Sequence, residues 1–236
     1  MIELLNINGT PINDIDYVEY LGSDFSDSEI TNFNEWSRNA IAPRFAPIRK
    51  AQFSTAEVRF LVSGTPTQTE LEEAITKLVV MLRDETAPEL NYNGFSFVGH
   101  CIDYKADRIS GGRAAELTLT IEGFKCIIET IQNPRTFTDD FFSSVLIESP
   151  MVITFSAMIG GATITVGGDQ VHFNAPVSRS FEWNGLTHTL SAGKAGTPTD
   201  SSIMDKLIFP YARVGGTSLD IIDGQIAKIK CYRRIL

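Results

Sequence analysis

The chain has 236 residues, 43% of them hydrophobic and 21% charged, and this globular composition excludes a collagen, a coiled coil and a disordered chain. Its longest apolar runs fall far short of the ~20 residues of a membrane helix, and its N-terminus lacks the basic start and apolar core of a secretory signal. Twenty Lys and Arg residues against 29 Asp and Glu residues give a net charge of −9, which opposes nucleic-acid binding.

The first half of the chain shows mainly the two-residue period of β-strands. Asn8-Gly9, between the apolar segments 2–7 and 12–20, predicts a β-hairpin. Strict alternation of apolar and polar side chains predicts a half-buried antiparallel strand at 113–124. Further strands are predicted at 51–62 and at 95–102.

One segment of this half has the period of an amphipathic helix. Apolar residues recur at helical spacing from Leu71 to Leu82, and Thr69 and Glu72 have the spacing of a capping box. Pro88 follows as a stop signal. We predict a helix from about residue 70 to residue 84 that covers a sheet.

The second half contains short strands and many glycine turns. The sequence Gln132-Asn133-Pro134 interrupts the pattern, so we place a domain boundary at 132/133. Eight short strands with tight turns and no helix predict a β-sandwich or jelly roll in residues 133–236. The strands are predicted at 151–155, 162–166, 170–173, 180–183, 186–190, 207–209, 218–222 and 226–232.

The sequence contains no pattern of a catalytic, metal or cofactor site. Its three histidines stand far apart, and no nucleophile elbow, phosphate loop or dinucleotide-binding motif occurs. The three cysteines form no C-x-x-C pair, and we expect buried, reduced thiols, as in a reducing cytoplasm. We therefore predict no metal site and no cofactor site. The cysteines are Cys101, Cys126 and Cys231.

The negative charge is confined to the first half. Residues 1–132 hold 11 basic and 20 acidic side chains, whereas residues 133–236 hold nine of each. Residues 1–37 hold eight acids and no Lys or Arg. The simplest interpretation of an acidic stretch is a solvated surface. The basic residues of the last strand, Lys228, Lys230, Arg233 and Arg234, are interpreted as the charge protection of an edge strand.

The order of these features resembles that of a known family. The features are the turn Ile7-Asn8-Gly9, the segment 35–43, the strand 51–62 with its Gly-Thr-Pro turn, the helix ending in Leu82-Arg83-Asp84-Glu85, strands at 92–99 and 117–124, the boundary Asn133-Pro134, and a sandwich that begins with Pro150-Met151-Val152-Ile153-Thr154 and continues with Ile164-Thr165-Val166-Gly167-Gly168. In this order, over nearly the whole chain, the sequence resembles the distal tail protein (Dit) family of long-tailed phages that infect Gram-positive bacteria.

The resemblance implies a mainly β structural protein of the virion that is not an enzyme and is synthesised in the host cytoplasm. It implies an N-terminal β-sandwich-like domain with one α-helix, residues 1–132, that forms a hexameric ring, and a galectin-like β-sandwich, residues 133–236. The implied partners are the tail tube protein, the tail-associated hub protein and receptor-binding proteins. DNA would only pass through the ring, and an acidic lumen would let it slide. The candidate lumen residues are Asp14, Asp16, Asp24 and Asp27.

Two alternatives remain open at this point. In the first, the chain is a stand-alone galectin-like carbohydrate-binding protein, with a shallow sugar site lined by Trp183, His172 and His188. Trp183 would stack on the sugar, although a tryptophan in an alternating strand is more often part of a core. In the second, Glu148 and Glu182 are the carboxylates of a β-sandwich glycosidase.

Overall fold

A computed structural model shows a mainly β protein that divides into two compact units. Unit 1 comprises residues 1–126 together with Leu236, and unit 2 comprises residues 127–235. The assignment of residues 1–132 to a ring domain and of residues 133–236 to a galectin-like domain stays a prediction. The structure describes residues 2–26, 30–35, 44–51, 53–83, 87–132, 145, 147–156, 163–166, 169–172, 181–192, 209–212 and 226–235.

Unit 1 is built on one antiparallel sheet and one α-helix, α1 (Gln68–Arg83). Its strands are β1 (Leu4–Ile7), β2 (Thr10–Pro11), β3 (Val18–Phe25), β6 (Ser54–Val62), β7 (Glu89–Tyr92), β8 (Ser96–Ile109) and β9 (Ala114–Gln132), the last of which continues into unit 2. They pair in the order β3-β6-β9-β8-β7-β1-β2. Two further strands, β4 (Ile30–Glu35) and β5 (Arg44–Ala51), pair with each other in a separate ladder. The prediction of a mainly β fold with a helix is confirmed.

One face of this sheet and α1 enclose the core of unit 1. The alternation in β6 and β9 buries Val58, Phe60, Leu117 and Leu119, each with none of its surface exposed. On α1, Leu71, Ile75, Leu78, Val79 and Leu82 turn toward the same core. The predicted half-buried strand and the apolar stripe of the helix are therefore both confirmed.

The helix begins two residues earlier than predicted. The capping box is formed by Thr67 and Glu70, and not by Thr69 and Glu72. The Glu70 carboxylate accepts a hydrogen bond from the Thr67 backbone N–H at 2.9 Å, and the Thr67 hydroxyl accepts one from the Glu70 N–H at 3.2 Å. Glu72 is instead paired with Arg108 of β8.

Two turns of unit 1 differ from the prediction. The Asn8-Gly9 hairpin forms, but its second strand is only Thr10–Pro11, because the chain then enters a 3-10 helix at Ile12–Asp14. The segment that follows, β3, pairs with β6 instead of β1. The predicted strand 92–99 is interrupted by a turn at Asn93-Gly94, where Gly94 has φ +102°, so it divides into the end of β7 and the start of β8.

The described strands of unit 2 are β10 (Ser149–Phe155), β11 (Thr163–Val166), β12 (Asp169–His172), β13 (Phe181–Asn184), β14 (Thr189–Ala192), β15 (Tyr211–Ala212) and β16 (Ile226–Arg234). The order of the larger sheet is β14-β13-β10-β16, and β16 also pairs with β9. The predicted strand 186–190 begins later, at Thr189, because residues 185–188 form the turn from β13. The predicted strand 218–222, and residues 207–208 of the strand predicted at 207–209, lie outside the described residues.

The interpretation of the last strand as an edge is wrong. β16 lies between β10 and β9, so its backbone is hydrogen-bonded on both sides. Its basic side chains have contacts of other kinds. Arg233 donates to Glu129 at 2.7 Å, and the Lys230 ammonium lies 4.8 Å from the centre of the Tyr232 ring.

Candidate functional site: an acidic face of the first sheet

The face of the unit 1 sheet that points away from the core carries most of its charge. Because side chains alternate along each strand, the neighbours of the buried residues in β3, β6, β8 and β9 share this outer face. We call these residues the acidic face. Its seven carboxylates are Glu19, Asp24, Glu57, Asp103, Asp107, Glu116 and Glu122, and its Lys and Arg residues are Arg59 and Lys105.

The register places the charged residues in rows across the four strands. In one row, Asp24 lies opposite Glu57, Glu57 lies opposite Thr120, and Thr120 in turn lies opposite Asp103 on the next strand. In another row, Asp107 lies opposite Glu116. The face therefore holds two pairs of carboxylates directly opposite each other on adjacent strands. Such like-charge pairs destabilise a sheet, so they are not explained by the stability of the fold.

Only two of the seven carboxylates form an ion pair with a described side chain. Lys105 donates to Asp107 at 2.6 Å, and Arg59 lies 4.0 Å from Asp24. Both pairs are largely exposed to solvent, so each contributes little to stability. Glu19, Glu57, Asp103, Glu116 and Glu122 are left without a described cationic partner, and the face is negative as a whole.

The predicted lumen acids that lie in the described residues do not all belong to the acidic face. Asp24 belongs to the acidic face, whereas Asp14 and Asp16 are exposed on the 3-10 helix and the turn that precede β3. Asp27 lies outside the described residues. The other acids of the face come from β6, β8 and β9, and the sequence did not single them out because the alternation of one strand says nothing about which strand lies beside it.

The residues of the alternative sugar site lie in unit 2. Trp183 is on β13 with none of its surface exposed, so its indole would have to leave the core before it could stack on a sugar. His188 is exposed in the turn between β13 and β14, where its ring stacks on Phe209 at 5.0 Å between centres and contacts the Tyr211 hydroxyl. His172 is half-buried at the end of β12.

The polar atoms of unit 2 near this turn serve the fold. The Asn184 amide donates to Glu182 at 3.0 Å, and its oxygen accepts the backbone N–H groups of Leu186 and Thr187. Burial, more than the negative charge of Glu148, raises the pKa of the Tyr211 hydroxyl. These contacts order the turn.

Among the described residues there is no group of three or more His, Cys, Asp or Glu that could hold a metal ion. The three cysteines form no disulfide bond and are buried, as predicted. Burial raises the pKa of the Cys231 thiol to about 12 and that of Cys101 in the same direction, so both stay protonated at neutral pH. No helix in the described part of the chain has the length and hydrophobicity to cross a membrane.

Comparison with known proteins found similarity among solved structures. No family model and no curated protein matches the chain. Among solved structures, it is similar to the crystal structure of SPP1 Dit (gp 19.1), described as a paradigm of the hub adsorption apparatus in phages that infect Gram-positive bacteria. That similarity covers 100% of both chains at 13% sequence identity, with a TM-score of 0.45. Similarity at this level does not by itself assign a function.

Proposed function

We propose that the chain is a structural, non-enzymatic component of a phage tail tip. Its N-terminal unit would form a ring of six copies, joined to the tail tube protein on one side and to the tail-associated hub protein on the other. Its second unit would face outward, where it would support receptor-binding proteins. The proposal follows the order of sequence features that resembles the Dit family, and it places the protein in the virion.

The acidic face is the observation that carries the proposal. A surface with seven carboxylates and two basic residues repels polyanions, and its like-charge pairs cost stability in the isolated chain. A channel for DNA requires such a surface, because each favourable contact with phosphate would slow the passage of the genome. We therefore assign the acidic face to the lumen of the ring. Asp14, Asp16 and Asp27 stay candidates for the same role.

The experiment replaces acids of the face by lysine in the phage. The variant Glu57→Lys/Glu122→Lys reverses two exposed charges of the acidic face. Glu70 is left unchanged in every variant because its carboxylate caps α1. The matched control is Glu73→Lys/Glu3→Lys, which reverses two exposed acids elsewhere in unit 1. Incorporation into tails is measured by mass spectrometry of purified virions, and genome delivery is followed as ion or dye release over time.

We expect both variants to assemble and only the acidic-face variant to deliver DNA slowly, with a larger delay at low ionic strength. Normal delivery by virions that contain this variant would show that the face is not in the channel. Absence of the wild-type chain from purified tails would refute the structural role itself.

A further inference from the structure

Three Asn-Gly pairs in the chain have a sequence that favours a spontaneous reaction of the asparagine side chain. They are Asn8-Gly9, Asn93-Gly94 and Asn184-Gly185, and all six residues are described. The backbone nitrogen that follows an asparagine can attack its side-chain amide, and a glycine shields that nitrogen least because it has no Cβ. The sequence does not distinguish the three pairs, whereas their surroundings in the folded chain differ.

The Asn184-Gly185 pair is held in a partly buried turn. The Asn184 side-chain oxygen accepts two backbone N–H groups of this turn, at 2.8 and 3.0 Å, and its nitrogen donates to Glu182 at 3.0 Å. Gly185 is buried, and its N–H donates to the Met151 carbonyl at 2.8 Å. Both reacting groups are therefore engaged, and their bonds must break before the nitrogen can reach the side chain.

The Asn8-Gly9 pair is exposed, but its groups are also hydrogen-bonded. The Asn8 side chain accepts the Glu89 N–H at 2.7 Å and donates to the Met81 carbonyl at 3.3 Å, near the end of α1. The Gly9 N–H donates to the side-chain oxygen of Asn6 at 3.2 Å. The side chain and the nitrogen are again both engaged.

The Asn93-Gly94 pair lies at the tip of the hairpin between β7 and β8, and its reacting groups are the least engaged of the three. Both residues are exposed, and the Asn93 side chain accepts one long hydrogen bond, from the Glu3 N–H at 3.4 Å. Within the described residues, the Gly94 N–H has no acceptor. Gly94 has φ +102°, which L side chains rarely adopt, so the turn itself requires the glycine that leaves this nitrogen unshielded.

We propose that Asn93 is the site of spontaneous deamidation in this protein, with water as the co-reactant. The Gly94 nitrogen forms a bond to Cγ of Asn93 and gives up its proton, and the side-chain nitrogen leaves as ammonia, so that a cyclic imide forms. A water molecule then opens the imide at one of its two carbonyls. The products are aspartate and isoaspartate, in which the backbone passes through the side-chain carbon.

The reaction would alter the turn without any oxidation or reduction. Each copy that reacts gains one negative charge at an exposed position of the β7–β8 hairpin. Glu3 is the neighbour of that position, because the Asn93 N–H also donates to the Glu3 carbonyl at 3.2 Å. The change therefore adds an acid beside an existing one, and it takes place whether or not the chain forms the proposed ring.

The first test follows all three pairs in one sample of the full chain. Purified protein is kept at mildly alkaline pH in water enriched in ¹⁸O and is then digested in ordinary water. Mass spectrometry of the peptides measures each asparagine separately, and the heavy oxygen marks reactions that preceded digestion. We expect Asn93 to react at least about tenfold faster than Asn8 and Asn184, because each hydrogen bond that must break first slows a reaction by a few-fold to about tenfold.

The second test establishes that the fold selects Asn93. In urea the three pairs lose their hydrogen bonds, and we expect them to react at similar rates. In buffer, Asn93→Ser should remove most of the ammonia that the folded chain releases. The matched control is Asn13→Ser, which removes an exposed asparagine that precedes Asp14 instead of a glycine and should leave the release unchanged.

A rate at Asn8 or Asn184 in the folded chain that equals the rate at Asn93 would overturn this inference. So would unchanged ammonia release in Asn93→Ser, or the same advantage of Asn93 in urea as in buffer. None of these results bears on the proposed ring, which is tested by the composition of tails and by genome delivery.

Discussion

Replacing Glu57 by glutamine should stabilise the isolated protein, although glutamic acid is fully compatible with an exposed strand position. Glu57 lies directly opposite Asp24, and Thr120 is its neighbour on the other side. Neither neighbour provides a positive charge. The substitution keeps the size of the side chain and removes one member of the like-charge pair, so the repulsion disappears and the sheet is otherwise unchanged.

The size of the effect follows from the geometry of the pair. Two carboxylates about 6 Å apart in a medium with the dielectric constant of water repel each other by about 0.7 kcal/mol. Opposed pairs in sheets contribute about 0.2–1 kcal/mol, which agrees with this value. Arg59 lies 4.0 Å from Asp24 and offsets part of the repulsion, so we expect a gain of about 0.3–0.7 kcal/mol. For a protein of this length, that corresponds to a rise of roughly 1–3 °C in Tm.

The assay is urea or thermal unfolding at low and at high salt. The gain should be largest near 10 mM salt and should vanish near 1 M, where the screening length is only about 3 Å. Glu19→Gln is the control, because Glu19 is on the same face and lies opposite Leu61 instead of an acid. Equal effects of the two substitutions, or a loss of stability in Glu57→Gln at low salt, would refute the assignment of repulsion to this pair.

Three other predictions concern the core of each unit. Leu78→Asp buries an unpaired carboxylate at a position with none of its surface exposed, and it should cost several kcal/mol, enough to unfold unit 1. Leu78→Met should cost less than about 1.5 kcal/mol. A thermal transition in the Asp variant like that of the wild type would contradict the packing of α1. Gly123→Ala should lower the free energy of unfolding by about 1–3 kcal/mol or more, because the added Cβ would lie 2.1 Å from the Val98 carbonyl oxygen. Urea unfolding measures this loss. An unchanged urea midpoint would show that β8 and β9 can move apart at this position. Burial raises the pKa of Cys231 to about 12, so the native state keeps a proton that the unfolded state loses above about pH 9. The free energy of unfolding should therefore fall by up to about 1.4 kcal/mol per pH unit above pH 9. Cys231→Ala should reduce this slope, and an identical slope in the variant would contradict the role of the Cys231 thiol.

The sequence predicted those elements whose signal is local. The helix was visible because its apolar residues recur at its own period, and β9 because its alternation is strict over Leu117, Leu119 and Ile121. The start of the helix was misplaced because Thr67 and Thr69 both stand three residues before a glutamate. Both matches satisfy the capping-box pattern, and only the folded chain shows which one is used.

Features that depend on which strands are neighbours could not be obtained from the sequence. Basic residues such as those of β16 are typical of an edge strand, but β9 and β10 flank that strand. The acidic face was missed for the same reason. Its carboxylates come from four strands that are separated by up to about a hundred residues, and only their register brings Asp24 beside Glu57 and Asp107 beside Glu116.

The acidic face would give the proposed ring a characteristic dependence on salt. Copies whose acidic faces meet around a channel repel each other, and salt weakens that repulsion within a screening length of about 10 Å at 0.1 M. Added salt should therefore promote assembly of the wild type. Neutralising the acidic face should remove this effect, and an equal salt dependence of the two proteins would contradict the assignment of the face to the channel.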